Sequence, residues 1–234
     1  MITSKTITKA LMSRYESKNS NSNLNESTFK ELYKAAVKDY FPQLTEEYAD
    51  QSIYGISFEI AGVVQKVYAE DFYTIVYFNT EEMYEESIED CEEDEKDYYR
   101  FEPWAEWDVT SARTPLFEKL QDYLKENTLK AALDYSDYAN DLSEEAVAWY
   151  EENESDFDAA FEEECSNIRM WMAEVLGELR REGFWKGQEN EDIYVIPFSG
   201  ECDIDYEEMV ETFKEIDQDY HGAEYLDYLE GQED

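Results

Sequence analysis

Cations, histidine, cysteine and glycine are all scarce in this 234-residue chain, and each scarcity removes a class of function. Nineteen Lys and Arg stand against sixty Asp and Glu, a formal net charge of -41. A surface of that sign repels DNA, RNA and anionic lipid, so no direct nucleic-acid partner and no membrane partner is expected. The single histidine, His221, excludes His-based triads, three-His zinc sites and the His-Glu-x-x-His helix. Cys91, Cys165 and Cys202 are an odd number at wide spacing without a Cys-x-x-Cys pair, which fits neither a disulfide framework nor a zinc site. Reduced thiols in a cytoplasmic protein are the expectation. The segment from Met1 to Met12 lacks the uninterrupted apolar stretch of a secretory signal, and no run approaches the about 18 residues of a membrane span. Among the eight glycines, Gly183, Gly187 and Gly200 lack the Lys-Ser/Thr that would make a phosphate loop.

What is present argues for a folded, strongly anionic domain. High charge and low hydropathy are the signature of disorder, but 42% hydrophobic and 16% aromatic residues, with only four Pro, supply a real core. A folded chain of this length exposes on the order of 11,000 Å², or roughly one net charge per 270 Å². B-DNA carries roughly one per 110 Å². A face on which the carboxylates gather therefore approaches the charge density of nucleic acid and steers cationic proteins toward itself. The excess is segmental: residues 1–60 hold eight acids and seven bases, whereas residues 191–234 hold Lys214 as their only base. Two clusters stand out as candidate binding surfaces. One comprises Glu81, Glu82, Glu85, Glu86, Glu89, Asp90, Glu92, Glu93, Asp94 and Glu95. The other interleaves acids with tyrosines suited to stacking on Arg: Asp217, Asp219, Tyr220, Glu224, Tyr225, Asp227 and Tyr228. With sixty acids, chance carboxylate pairs are nearly certain, so none is singled out as a general acid/base pair. The segment from Asp203 to Glu208 lacks the turn glycine of a calcium loop and reads as helix capping. The chain is expected to be non-enzymatic, with no catalytic residue, metal or cofactor.

Periodicity divides the chain into a flexible arm over 1–25, an α+β domain over 26–217 and an acidic tail over 218–234. Ser27 or Thr28 caps a helix with apolar positions Phe29, Leu32, Tyr33, Ala36, Val37 and Tyr40, ending at Phe41-Pro42. Residues 52–60 and 71–79 are β-branched and aromatic and predict two paired strands. Thr80 or Asn79 caps a short acidic helix over 83–91. The aromatic run over 98–107, broken by Pro103, predicts a packed loop or edge strand. Pro115 opens a helix to about Lys125. An acidic helical insert near 127–155 includes a helix capped by Ser143 and reaching Tyr150. Ser155-Asp156 then starts a separate long helix with the stripe Phe157, Phe161, Cys165, Ile168, Met172, Val175, Leu176 and Leu179, ended by Gly183. A third strand over 193–198 and a last helix over 206–216 complete a single α+β domain, a small, mainly antiparallel sheet backed by several helices.

Two stretches together resemble an uncharacterised bacterial domain family. Trp104, Glu106 and Trp107 match a Trp-x-Glu-Trp segment, and Leu176, Leu179, Glu182, Gly183 and Phe184 match a Leu-x-x-Leu-x-x-Glu-Gly-Phe helix end. The resemblance covers roughly residues 26 to 217 and carries over no catalytic residue. Members are similar to immunity proteins found beside polymorphic toxins. That resemblance and the charge imply an immunity or inhibitor protein that neutralises a basic toxin, a nuclease or another enzyme with an anionic substrate, by stoichiometric binding. The alternative is a DNA mimic of phage or mobile-element origin that inhibits a host defence nuclease.

Overall fold

The computed structural model describes residues 24–61, 73–89, 91, 96–101, 107–128, 144–186, 193–196, 206–217 and 222–231. The first helix, α1 (Glu26–Glu47), starts earlier than expected. Asn25, not Ser27 or Thr28, is its cap, accepting the Thr28 N–H through Oδ1 at 3.0 Å. Leu24 is already buried, so the ordered domain reaches two residues into the segment read as a flexible arm. The helix also runs through Pro42, where an end was expected. Proline withholds one hydrogen bond from the Lys38 carbonyl, but Phe41 and Leu44 stay on the buried stripe and their packing holds the last turns.

Strands β1 (Ile53–Ala61) and β2 (Tyr73–Thr80) pair antiparallel, as their β-branched composition predicts. β3 (Asp108–Ser111) adds antiparallel to β2 and β4 (Tyr194–Ile196) adds parallel to β1, giving the order β3-β2-β1-β4. This is the expected small, mainly antiparallel sheet. Both of its faces are covered. Ile56, Phe58, Ile60, Val76 and Phe78 enter the larger core with α1, α4 (Pro115–Asn127) and the long helix α5 (Glu144–Arg181). Phe58 lies among Tyr40, Phe117 and Trp185, with ring centroids 6.0 to 6.4 Å away. On the other face Tyr54, Phe101, Trp107, Tyr194, Ile196, Phe213 and Tyr225 form a second, aromatic cluster. Coverage on two sides explains why Ile193, Tyr194, Val195 and Ile196 are apolar without alternation.

Four further elements depart from the sequence expectation. Two short helices, α2 (Glu81–Ser87) and α3 (Lys96–Phe101), follow β2. α2 opens on Thr80 as its cap, as expected, but ends at Ser87, short of Cys91; over 98–101 α3 stands where a loop or edge strand was expected, and 102–106 lie outside the described residues. The edge strand is β3, just beyond it. α5 is one continuous 38-residue helix through Ser155 and Asp156, rather than two. No Gly or Pro interrupts it between Glu144 and Leu176, so a capping side chain in mid-helix gives way to continued backbone hydrogen bonding. The described part of its stripe, Cys165, Ile168, Met172, Val175, Leu176 and Leu179, is buried as expected. After α6 (Tyr206–Asp217), the segment read as a tail forms a further helix, α7 (Gly222–Gly231), docked through Tyr225. No helix among the described residues is long and apolar enough to cross a membrane.

Several buried side-chain polar atoms stand against the packing, among them one on α1. The Tyr33 hydroxyl, on a fully buried side chain of α1, has no hydrogen-bond partner among the described residues, and burial pushes its pKa far above the ordinary tyrosine value. An unmet hydroxyl in such a place is destabilising, while the phenyl ring alone keeps the stacking on Phe29 at 5.8 Å. Tyr33→Phe is therefore expected to raise unfolding stability by about 1 kcal/mol in chemical denaturation. A loss of stability would show that the hydroxyl is satisfied.

Candidate acidic interaction surface

The first acidic cluster centres on α2, a two-faced helix. At about 100° per residue, Glu82, Glu85, Glu86 and Glu89 fall within an arc of about 100°, with Glu89 just past the helix end. All four are exposed. On the inner side Met83 packs against the larger core and Tyr84 against the aromatic cluster, so the helix is pinned to both layers. Its N-terminus is fixed by Thr80, whose Oγ1 accepts the Met83 N–H at 3.2 Å, and its first-turn acids complement the helix dipole. The result is a short, rigid ridge of carboxylates.

Two of the expected binding acids serve the fold as well. Glu82 accepts the Ser52 backbone N–H at 3.0 Å, tying α2 to the start of β1, and this hydrogen bond holds its carboxyl below the usual range. Glu81 accepts from the Arg100 guanidinium at 3.3 and 3.4 Å. That guanidinium rests against the rings of Tyr54 and Tyr84, 4.5 and 5.0 Å from their centroids. Asp90, Glu92, Glu93, Asp94 and Glu95 lie outside the described residues. Sequence reasoning missed Arg100, although one arginine inside a tyrosine-rich run is a signal for such a contact.

The second cluster is only partly a surface. Asp217 ends α6, Glu224 lies in the first turn of α7, and Asp219 and Tyr220 lie outside the described residues. Asp227 is exposed and Tyr228 half-buried against Phe101, with ring centroids 5.3 Å apart. Tyr225 corrects the expectation. It is buried, 4.6 Å from the Phe213 ring and 5.9 Å from Phe101, so it anchors α7 and is not an exposed contact. The apolar partners that claim it are distant in sequence, which is why the acid-tyrosine spacing alone suggested an interface.

The cations are used elsewhere. Along the seam of α1 and α5, Lys30 pairs with Glu26 and Glu174, Lys34 with Glu178 and Glu182 at 2.8 Å each, and Lys38 with Glu182 at 2.7 Å. Hydrogen bonds from Lys34 and Lys38 hold the exposed Glu182 carboxyl down to about 2. Between α5 and α6, the buried Arg169 is bidentate to Glu208 at 2.6 and 2.9 Å and reaches Glu162 at 3.1 Å. These pairs neutralise cations at internal seams and leave the α2 ridge, among the described residues, with Arg100 on Glu81 as its cationic contact. Among the described residues no group of three or more His, Cys, Asp or Glu could hold a metal ion.

The described motif residues behind the family resemblance are structural. Gly183, at φ 72°, is the left-handed residue that closes α5. Its N–H donates to the Arg180 carbonyl and that of Phe184 to the Leu179 carbonyl, the two bonds of a Schellman stop. Glu182 clasps α1 from this turn, Phe184 meets Phe41 at 5.3 Å, and the buried Trp185 donates its indole N–H to Leu176. Trp107 covers Gly55 and donates to the Tyr99 carbonyl at 3.2 Å; Trp104 and Glu106 lie outside the described residues. Residues 29–217 match a domain of unknown function, DUF4303, and the chain belongs to that family. No curated protein and no solved structure matches it.

Proposed function

We propose that this DUF4303 chain is a bacterial, cytoplasmic immunity or inhibitor protein that neutralises a basic toxin by stoichiometric binding, without turnover. The observation that carries this reading is the α2 ridge, where Glu82, Glu85, Glu86 and Glu89 are exposed on one side of a helix pinned to two cores. A helix already anchored through Met83 and Tyr84 needs no backbone reordering when a cationic surface arrives, which lowers the entropic penalty of docking. The summed field of a chain at -41 adds a long-range pull that raises the encounter rate. The toxin would be a nuclease or another enzyme with an anionic substrate, because its cationic cleft is complementary to such a ridge. Occupying the cleft blocks substrate without chemistry.

The test is capture from the native organism at low and then moderate salt, followed by an activity assay on the protein recovered. The expected result is a basic protein released by salt, whose activity falls to zero at one equivalent of this chain. Inhibition that needs a catalytic amount only, or recovery of acidic proteins alone, would overturn the reading. A recovered defence nuclease in place of a toxin would make the chain a DNA mimic that acts by the same physics.

A further inference from the structure

We infer that the corner formed by Tyr54, Tyr84 and Glu81 is a binding pocket for an arginine side chain of the basic partner, occupied in the free protein by Arg100. This rests on the proposed capture of a basic protein, and names the group recognised. The two rings stand edge to face, 5.9 Å apart at an interplanar angle of 72°, and present their π-systems to one point. Glu81 supplies a carboxylate beside that point. Two aromatic faces and one carboxylate are what a planar guanidinium binds, by stacking, by cation–π attraction and by paired N–H donors. The seated Arg100 demonstrates the fit, at 4.5 and 5.0 Å from the two centroids.

Its tenancy is loose. The donor–acceptor distances to Glu81 are 3.3 and 3.4 Å, against 2.6 and 2.9 Å for the buried Arg169 on Glu208. The side chains of Arg100 and Glu81 are 32% and 42% exposed, so the corner is reachable from solvent. Glu85 lies about 40° around the helix from Glu81, which sets the pocket beside the acidic ridge. A cationic surface drawn to the ridge thus brings its side chains to the mouth. Exchanging one guanidinium for another keeps the stacking and the ion pair, and releases Arg100 to water, where its charge is well solvated. The remaining contacts with the ridge offset the advantage of a tethered occupant.

The experiment compares two six-residue peptides of equal charge, one alternating Arg with Gly and one alternating Lys with Gly, titrated calorimetrically at low salt against the full-length chain. Arg100→Gln vacates the pocket and should tighten the arginine peptide about tenfold while leaving the lysine peptide within about twofold. Adding Tyr84→Leu to Arg100→Gln should remove that gain. Arg100→Lys, which keeps a cation beside Glu81 if the glutamine variant fails to fold, should show the same preference at smaller size. Equal gains for both peptides, or no gain in either variant, would overturn the pocket. Changing Glu85, Glu86 and Glu89 together to Gln should weaken both peptides alike. That effect persisting without any arginine preference would sink the pocket and leave the ridge standing, whereas its absence would count against the ridge itself.

Discussion

Gly177→Ala is expected to destabilise the fold by about 2–3 kcal/mol, and Gly177→Val by more, with the loss concentrated in α6 and α7. A Cβ at this position of α5 would stand 2.3 Å from the backbone carbonyl oxygen of Glu215 in α6 and 3.1 Å from its carbon. Relief to ordinary contact needs a displacement of about 1 Å, and the obstacle is main chain, which has no rotamer to change. The helix-forming advantage of Ala over Gly, about 1 kcal/mol, reduces the loss without cancelling it. Gly55 is tight as well, but against a side chain: its hypothetical Cβ meets the Trp107 ring at 2.5 Å, a ring buried in the aromatic cluster and tied to the Tyr99 carbonyl. Displacing α6 would separate Phe213 from Tyr194 and Tyr225 and stretch the Arg169–Glu208 pair. Amide exchange should therefore accelerate across Tyr206–Asp217 and Gly222–Gly231 before it does in α1 or β1, and the denaturation midpoint should fall. A midpoint unchanged within about 0.5 kcal/mol would mean that α5 and α6 do not approach this closely.

The same close approach marks the boundary of what could be read from sequence. α1, the β1–β2 pair, α4 and α6 follow from local residue pattern and, for α4, from Pro115 in its first turn, because each has one buried stripe or face whose period is visible locally. Elements whose form is decided by distant partners were not legible. Phe101 and Tyr225 draw α3 and α7 onto the second face of the sheet, and nothing in their neighbourhoods announces that face. Ser155-Asp156 carries a start signal with no competing breaker behind it, so the helix continues through. The acidic surface was legible as composition but not residue by residue. Glu81 is half-buried against Arg100 and the exposed Glu82 is engaged by the Ser52 N–H, while Glu85, Glu86 and Glu89 are left to solvent.

That division selects the variant with the largest expected functional effect. Changing Glu85, Glu86 and Glu89 together to Lys moves the ridge by six charge units and leaves both the Glu82–Ser52 and the Glu81–Arg100 contacts in place. All three side chains are exposed, so the fold should be affected by no more than about 0.5 kcal/mol per site. Against the basic protein recovered by salt-graded capture, the association rate at low salt is expected to fall about 10- to 100-fold, because electrostatic steering acts on encounter. The dissociation rate should change less, since exposed rim charges contribute little once the complex is formed. The dependence of the association rate on ionic strength should flatten at the same time. Salt screens the ridge in the native chain over about 10 Å at 0.1 M, and a variant without that ridge has less attraction to screen. Stopped-flow mixing across a salt series reads both quantities from one set of traces. A folded variant with an unaltered association rate and an unaltered salt slope would remove the α2 ridge from the binding surface.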